Sequence, residues 1–513
     1  MVIIGGRQIT SDDFRHILFE GIGIRLDENA LQNVEENYSF LEHFAANKII
    51  YGINTGLGPM SQYKVPEKDR LKLQYNLIRS HASGSGERIS DFDTKSLMVA
   101  RLNTFMKGYS GIHPEIPSLL KDLINLNLYP VIPQHGGVGA SGDLVQLAHL
   151  ALALIGEGEI VENENILPVS DVFQKHGLKP VSMHIREALA LINGTSAMSG
   201  IGMINILRAK SLLDWSVLAS AFINEIVESY DDHYSVQLNQ VKLHEGQREI
   251  TSKLQKILSD SARVRKREDH LFNGTTGEMV FSTKIQEYYS IRCITQILGP
   301  ITDTIHNAEK VVLNEINSVN DNPIIDHKNK NVYHGGNFHG DYVALEMDKL
   351  KLAITKLSML TERQLNFLMN DKLNNKLPPF VNLGVLGLNL GMQGMQFTAT
   401  STVAENQVLS NPMYVHSIPT NNDNQDIVSM GTNAALITRK VIDNTFEVMA
   451  IQLLALIQAI DYLDITKKLS SYTRAQYSRL RAIVPKFTED AVKYPDIRNL
   501  RDFIINNNLD LNP

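Results

Sequence analysis

The chain has 513 residues, 43% of them hydrophobic and 20% charged, with a net charge of −7 and a pI near 6.2. These are ordinary globular values for a chain long enough to form roughly two to four domains, and without a basic excess nucleic acid is not an expected partner. A single cysteine, Cys293, rules out an internal disulfide framework and a Cys-based zinc site.

The N-terminal stretch has no basic segment leading into a long apolar one, so no signal peptide is expected. Strand signals are few and short, at residues 2–4 and 49–53. Over residues 66–80, Leu71, Leu73, Leu77 and Ile78 repeat at helical spacing behind Pro66, a residue favoured in a first turn. Asp93 is expected to cap a helix over 94–107 that Gly108 ends. Leu144, Leu147, Ala148, Ala151 and Leu154 form an apolar face that stops at Gly156. From about residue 200 the helices lengthen: 201–230, 284–314 with a kink at Gly299-Pro300, 341–370, 393–409 and 426–463. Several are apolar nearly all round, which places them inside a bundle or an oligomer interface. The longest apolar run, 448–460, contains Gln452 and Gln458 and is too short to cross a bilayer, so no membrane association and a cytoplasmic location are expected. The expected fold class is mainly α, with a mixed, loop-rich domain over 1–200 and an elongated helical bundle over 201–513.

Six segments carry chemistry. In the first, a glycine-rich loop from His135 runs into a helix through Gly139-Ala-Ser-Gly-Asp-Leu144. It reads equally as an anion-binding turn or a capped helix start; it lacks the lysine and spacing of a P-loop. A further reading concerns Ala140-Ser141-Gly142. Glycine at the third position leaves its nitrogen unhindered and tolerates strained torsions, so that nitrogen can close onto the Ala140 carbonyl. Loss of two waters, the second taking the Ser141 hydroxyl, leaves an exocyclic methylene, an electrophile that no ordinary side chain supplies.

The second segment, Tyr51-Gly-Ile-Asn-Thr-Gly-Leu-Gly-Pro59, reads as a strand end turning through a glycine loop, with Tyr51 a half-buried aromatic; the glycines also suit a mobile lid. The third, Ala190-Leu-Ile-Asn-Gly-Thr195, reads as a helix ending at Asn193-Gly194. In the fourth, Gln286, Tyr289 and Arg292 are spaced to share one helix face, either as a buried polar network or with Arg292 as a bidentate carboxylate clamp. The fifth holds Asn320-Asp-Asn-Pro323 and then His334-Gly-Gly-Asn-Phe-His-Gly340; the spacing of His327, His334 and His339 fits no compact metal motif. The sixth, Pro419-Thr-Asn-Asn-Asp-Asn-Gln-Asp426 and onward, lacks the glycine and glutamate of a calcium loop.

Gly139-Ala-Ser-Gly-Asp-Leu144, followed by Leu147-Ala148-His149, resembles the signature of the aromatic amino acid ammonia-lyases: the histidine, phenylalanine and tyrosine ammonia-lyases and related aminomutases. The resemblance extends over nearly the whole chain and is closest to a bacterial tyrosine ammonia-lyase branch. It implies an aspartase/fumarase-like fold with an N-terminal domain bearing a 4-methylideneimidazol-5-one (MIO) made from Ala140, Ser141 and Gly142, with no external cofactor or metal. It implies a homotetramer whose active sites are each built from three chains, the 419–430 segment reaching a neighbour's site. It also assigns roles. Tyr51 removes the β-proton, a task for which a tyrosine of ordinary pKa about 10 must be made more acidic. Gly58 lies beside the substrate, Asn193 near the MIO carbonyl, and Tyr289 next to the MIO. Gln286 and Arg292 bind substrate, with Arg292 on its carboxylate, while Asn322 and Phe338 line the pocket. Intact Tyr51, Ser141, Asn193, Tyr289 and Arg292 speak against a non-catalytic scaffold, and the Ala-Ser-Gly turn against a fumarase-type lyase without MIO.

Two positions bear on the substrate and disagree. Ser80-His81 follows the pattern of histidine ammonia-lyases, whereas Gln425 stands where those enzymes place a glutamate. A carboxylate suits an imidazole and a neutral amide suits a phenol, to which His81 can still hydrogen-bond. The expected order is therefore L-tyrosine, giving trans-p-coumarate, then histidine, then phenylalanine. An aminomutase, which returns ammonia to the β-carbon, shares every one of these motifs.

Overall fold

The computed structural model describes residues 1–46, 48–272, 277, 279–281 and 284–511. Helices dominate, and the chain divides into two compact units. The first comprises residues 1–207, 307–348 and 412–439; the second comprises 208–306, 349–411 and 440–513. Four of the five boundaries fall inside the long helices Ser196–Val227, Ile294–Ile316, Asp341–Met369 and Gly431–Leu463; the fifth, at 411/412, follows the helix Gln393–Leu409.

The first unit holds every strand among the described residues, all short. Val2–Ile4 pairs in parallel with Ile24–Leu26, Ser85–Arg88 runs antiparallel to Pro133–His135, and Tyr129–Pro130 joins the hairpin Glu159–Glu162/Asn165–Pro168. Ile324–Asp326 pairs with Asn331–Tyr333. At the centre lies the helix Asp91–Phe105, buried continuously from Asp93 to Phe105. Several of its polar side chains survive burial by meeting partners. Ser96 donates to the Gly200 carbonyl (2.7 Å), Asn103 donates to the Ile316 carbonyl (2.8 Å), and Asp93 accepts from Arg439 (2.9 Å). The N-cap is Ser90, whose oxygen accepts the Asp93 N–H, and not Asp93; Asp93 instead sits at the third helical position and takes the Ser90 hydroxyl (2.7 Å). The cap therefore comes three residues earlier than composition alone suggested.

Residues 49–53 form a turn rather than a strand. Ile50 and Ile53 both point into a cluster with Leu41, Ala45 and Ile325, a same-side spacing of three that an extended strand cannot supply. Asn54 Oδ1 accepts the Ile50 N–H (3.0 Å) and Thr55 Oγ1 accepts the Gly52 N–H (3.2 Å), closing the turn.

The second unit is helical: Glu245–Leu258, Gln393–Leu409, Ser471–Ile483 and Tyr494–Asn506 accompany its shares of the long helices. The apolar run 448–460 lies wholly inside the protein, and its two glutamines are paired. Gln452 donates to Gln364 (2.6 Å) and Gln458 to the Phe487 carbonyl (2.9 Å). The 33-residue helix Gly431–Leu463 is long and apolar enough to cross a membrane, but 78% of its most apolar window is buried in the protein. The expected helix over 284–314 is broken. Tyr289–Arg292 forms a short helix, Cys293 leaves helical geometry, and Ile294–Ile316 follows with Pro300 inside it. The interruption is thus at Cys293 and not at Gly299-Pro300.

Candidate active site

The tripeptide sits in a loop clamped by segments that are remote in sequence. Gly142 has φ +70° and bridges Gly194, whose carbonyl accepts the Asp143 N–H (2.8 Å). A Cβ on Gly142 would strike that carbonyl, so no other residue fits. The Gly139 carbonyl accepts both the Gly340 N–H (3.1 Å) and the Ser429 hydroxyl (3.1 Å), and the Val138 carbonyl accepts the Met430 N–H (3.0 Å). Asp143 is buried; its carboxylate takes the Thr432 hydroxyl (2.5 Å) and the Met198 N–H (2.9 Å), while burial still pushes its pKa up to about 6.

Two amides address Ser141. Asn193 Nδ2 donates to its carbonyl (2.9 Å) and Gln425 Nε2 donates to its hydroxyl (2.8 Å). Asn193 ends the helix Glu187–Ile192 with extended backbone, which turns its side chain out of the helix. Its Oδ1 is buried with no partner among the described residues, an open acceptor beside Ser141. Ala140 is buried, the Ser141 hydroxyl holds a neutral donor, and position 142 accepts only glycine. The residues fit the imidazolone.

Ser141 opens onto a cavity of about 690 Å³. Its wall brings together Tyr51, Gly58, Ser80, His81, Asn193, Asn322, Phe338 and Gln425, with Leu57, Met60, Leu73, Leu77, Leu144, Leu189 and Ile192 supplying apolar surface. Gly58 N–H donates to Tyr51 Oη (2.9 Å), which anchors the phenol oxygen on the glycine loop. The helix Arg70–His81 turns Leu73, Asn76, Leu77 and Ser80 to the cavity at helical spacing, and His81 ends it. His81 Nδ1 lies 3.0 Å from the Leu77 carbonyl and 3.0 Å from Ser80 Oγ. A carbonyl only accepts, so Nδ1 carries the hydrogen and Nε2 is left as an acceptor. Burial holds the ring below the usual histidine range, keeping it neutral. Among the described residues the cavity wall contains no Asp, Glu, Lys or Arg.

Gln425 reaches Ser141 by an unusual hairpin. Thr420 and Gln425 exchange backbone hydrogen bonds (3.1 and 3.2 Å), and Asn421, Asn422 and Asp423 between them have φ of 55°, 54° and 59°. Short polar side chains tolerate this left-handed turn better than any others except glycine. The segment lies against Ser141 of its own chain. It also explains why the following helix begins at Gly431 instead of 426.

Gln286, Tyr289 and Arg292 belong to the second unit and do not line this cavity. Gln286 lies ahead of the short helix Tyr289–Arg292, so the shared helix face holds only for Tyr289 and Arg292. Tyr289 is 69% exposed, and the Arg292 guanidinium lies 4.7 Å from its ring centre. His149 accepts the Gly84 N–H (3.2 Å) and is likewise kept neutral by burial. His327 contacts Asn37 (3.1 Å) and His339 contacts Asp341 (3.5 Å); among the described residues no three His, Cys, Asp or Glu side chains could hold a metal ion. Sequence reasoning passed over Thr432, which holds Asp143, and Arg101, which holds the Asn193 carbonyl. Asp143 and Ser429 stood inside quoted segments and were given no role there.

Comparison with known proteins extends the likeness to nearly the full chain. The profile of the family described as aromatic amino acid lyase matches residues 9–482. A tyrosine 2,3-aminomutase of Myxococcus sp. (strain Mx-B0) is 36% identical over 510 residues, 96% of this chain and 97% of that protein. A histidine ammonia-lyase of Bacillus cytotoxicus is 35% identical over 505 residues, 98% and 97% of the two chains. The solved structure of Pantoea agglomerans phenylalanine aminomutase superposes with a TM-score of 0.95 at 32% identity, covering 98% of this chain and 99% of that one.

Proposed function

Since the chain belongs to the aromatic amino acid lyase family, whose MIO-dependent members are ammonia-lyases and aminomutases, we propose that it eliminates ammonia from L-tyrosine to give trans-p-coumarate. One observation carries the choice of substrate: among the described residues the part of the cavity wall that this chain supplies has no carboxylate, and His81 offers a neutral acceptor nitrogen. A phenol hydroxyl donates to that nitrogen. An imidazole or imidazolium would find no anionic partner. A pocket built to bond a hydroxyl rejects phenylalanine, because the acceptor is then left unpaired.

Asn193 and Gln425 hold the carbonyl and the leaving hydroxyl of Ser141, and the cyclised, dehydrated tripeptide supplies an electrophilic alkene that makes the substrate amine a competent leaving group. Tyr51, on the same cavity wall, accepts the β-proton. Asn193 Oδ1 accepts from the substrate nitrogen. Apolar side chains from Leu57 to Ile192 pack the ring and exclude water. A substrate carboxylate needs a cation that this wall lacks. Arg292 is assigned that role, stacked on Tyr289 and supplied by a neighbouring copy in a homotetramer, with Gln286 beside it.

The aminomutase reading is favoured by a specific observation, the likeness to a tyrosine 2,3-aminomutase over almost the whole chain. Parallel assays with tyrosine, histidine and phenylalanine, with products separated by chromatography, decide among these readings. p-Coumarate as the main and fastest-formed product is expected. Faster release of urocanate from histidine overturns the substrate assignment, and β-tyrosine as the main product replaces the lyase with a mutase.

A further inference from the structure

Behind Asn193, on the side away from the cavity, stands a fully buried guanidinium that none of the chemistry above uses. Arg101, in the central helix Asp91–Phe105, donates through Nη2 to the carbonyls of Asn193 (2.9 Å) and Ala190 and to Asp321 Oδ1 (3.3 Å). Nη1 donates to Asn320 Oδ1 (3.3 Å). Asn320 in turn donates to Thr195 Oγ1 (2.9 Å), whose hydroxyl is bound by Glu315 (2.5 Å). One planar cation therefore ties the 190–195 turn to the 320–321 segment. The first presents Asn193 to the Ser141 carbonyl and Gly194 to Gly142; the second leads into Asn322 on the cavity wall. Gly194 is part of the same fit, because a Cβ there would strike Arg101 Nη1.

We infer that Arg101 is a positioning residue for formation of the electrophile: it fixes the 190–194 turn so that Asn193 and Gly194 hold the tripeptide in the conformation that cyclises. The inference rests on the functional reading above. In the reaction the Gly142 nitrogen bonds to the Ala140 carbonyl carbon. That carbonyl oxygen leaves as water with the hydrogens of the Gly142 and Ser141 nitrogens. The Ser141 hydroxyl leaves as a second water with the Ser141 α-hydrogen, so no oxidant or reductant is needed. Every step depends on the orientation of the Ser141 peptide group, whose carbonyl is held by Asn193. Nη2 holds the two carbonyls of the turn while Nη1 holds Asn320, so the two arms of one plane join both segments; a lysine, with one compact ammonium, cannot span them. Burial of the cation is tolerated because Asp321 and the carbonyls surround it.

The test is the intact mass of purified full-length proteins, read with their thermal midpoints and kcat. Wild type is expected to be lighter than its encoded mass by two waters. Arg101→Lys and Arg101→Met are expected to retain both waters in most molecules, with kcat lower on the order of a hundredfold, the scale of a small misplacement at a reacting centre. Arg439→Met is the control. It removes another buried guanidinium of the same unit, one paired with Asp93 (2.9 Å) and Asn205 (2.7 Å), and touches no part of the loop. It is expected to lower the midpoint and stay fully dehydrated, a result that a merely structural role for Arg101 would share. If the Arg101 variants do not fold, Asn320→Ala decides, since it removes the Nη1 acceptor and the bond to Thr195 while leaving the guanidinium on the turn, and is expected to raise the undehydrated fraction several-fold. Full dehydration of Arg101→Lys or, failing that variant, of Asn320→Ala, with kcat within about twofold of wild type, overturns the inference. A wild-type chain that keeps both waters instead removes the functional reading, and this inference with it.

Discussion

At the scale of single residues the site is defined by neutral groups placed with care. Tyr51 is the only cavity residue assigned to proton removal, so Tyr51→Phe is expected to lower kcat by about 10²- to 10⁴-fold with KM and thermal midpoint nearly unchanged, as steady-state kinetics and calorimetry would show. Gln425 stands 2.8 Å from the Ser141 hydroxyl in a wall free of carboxylates. Gln425→Glu should raise the ratio of kcat/KM for histidine to that for tyrosine by roughly tenfold, measured on the dehydrated fraction. Glu187, which opens the helix leading to Asn193, is fully buried and accepts the N–H groups of His113 (2.7 Å) and His184 (2.5 Å); burial nevertheless pushes it up to about 7 from 4.5. The folded state then holds a proton that the unfolded state has released, so its contribution to stability is complete below about pH 4.5 and is lost as pH rises to about 7. Denaturation of wild type and Glu187→Gln across that window should show the wild-type advantage shrinking as pH rises; a gap that widens contradicts the assignment.

At the scale of elements, the hairpin over 420–425 is where backbone strain meets function. Three successive left-handed residues are tolerated because Asn and Asp disfavour that region least among side-chain-bearing residues, and the turn delivers Gln425 to Ser141. Asn422 does not line the cavity, yet Asn422→Val should cost about 1–2 kcal/mol of stability and lower kcat, whereas Asn422→Gly should be tolerated; urea titration and kinetics separate the two. The helix Gln393–Leu409 was legible to its ends and Asp341–Met369 to within one residue, because apolar periodicity and flanking turns agree there. The central helix Asp91–Phe105 was not legible as a core element. Its Asp, Lys, Ser, Arg, Asn and Thr residues look like a solvated face, and only the folded chain brings them partners such as Gly200, Ile316, Asn320 and Arg439. Arg101 went unnoticed for the same reason. The turn at Ala140-Ser141-Gly142 was legible from its glycines, and Tyr51, Asn193 and Gln425 were singled out through the family resemblance, whereas the breaks at 49–53 and Cys293 depend on contacts that no local pattern encodes.

At the scale of the whole molecule, stability rests on long-range anchors. Trp215, the only tryptophan, is fully buried in the second unit and donates to the carbonyls of Ile504 (3.1 Å) and Asn507 (3.2 Å). It fastens the helix Tyr494–Asn506, so a chain ending at residue 493 should show red-shifted, more quenchable tryptophan emission and a lower thermal midpoint; unchanged emission would show that Trp215 does not depend on that helix. The clamps on the tripeptide loop have the same long reach, and this sets a timetable. Gly139 waits for Gly340 and for Ser429, 290 residues further on, and Ser141 waits for Gln425, 284 residues further on. A nascent chain leaving the ribosome carries Ala140-Ser141-Gly142 as ordinary peptide until those segments have been synthesised and folded back onto it. On the proposed chemistry the reactive alkene is therefore a product of completed folding, and an unfinished or prematurely terminated polypeptide would be spared an electrophile that meets the thiols and amines of its surroundings.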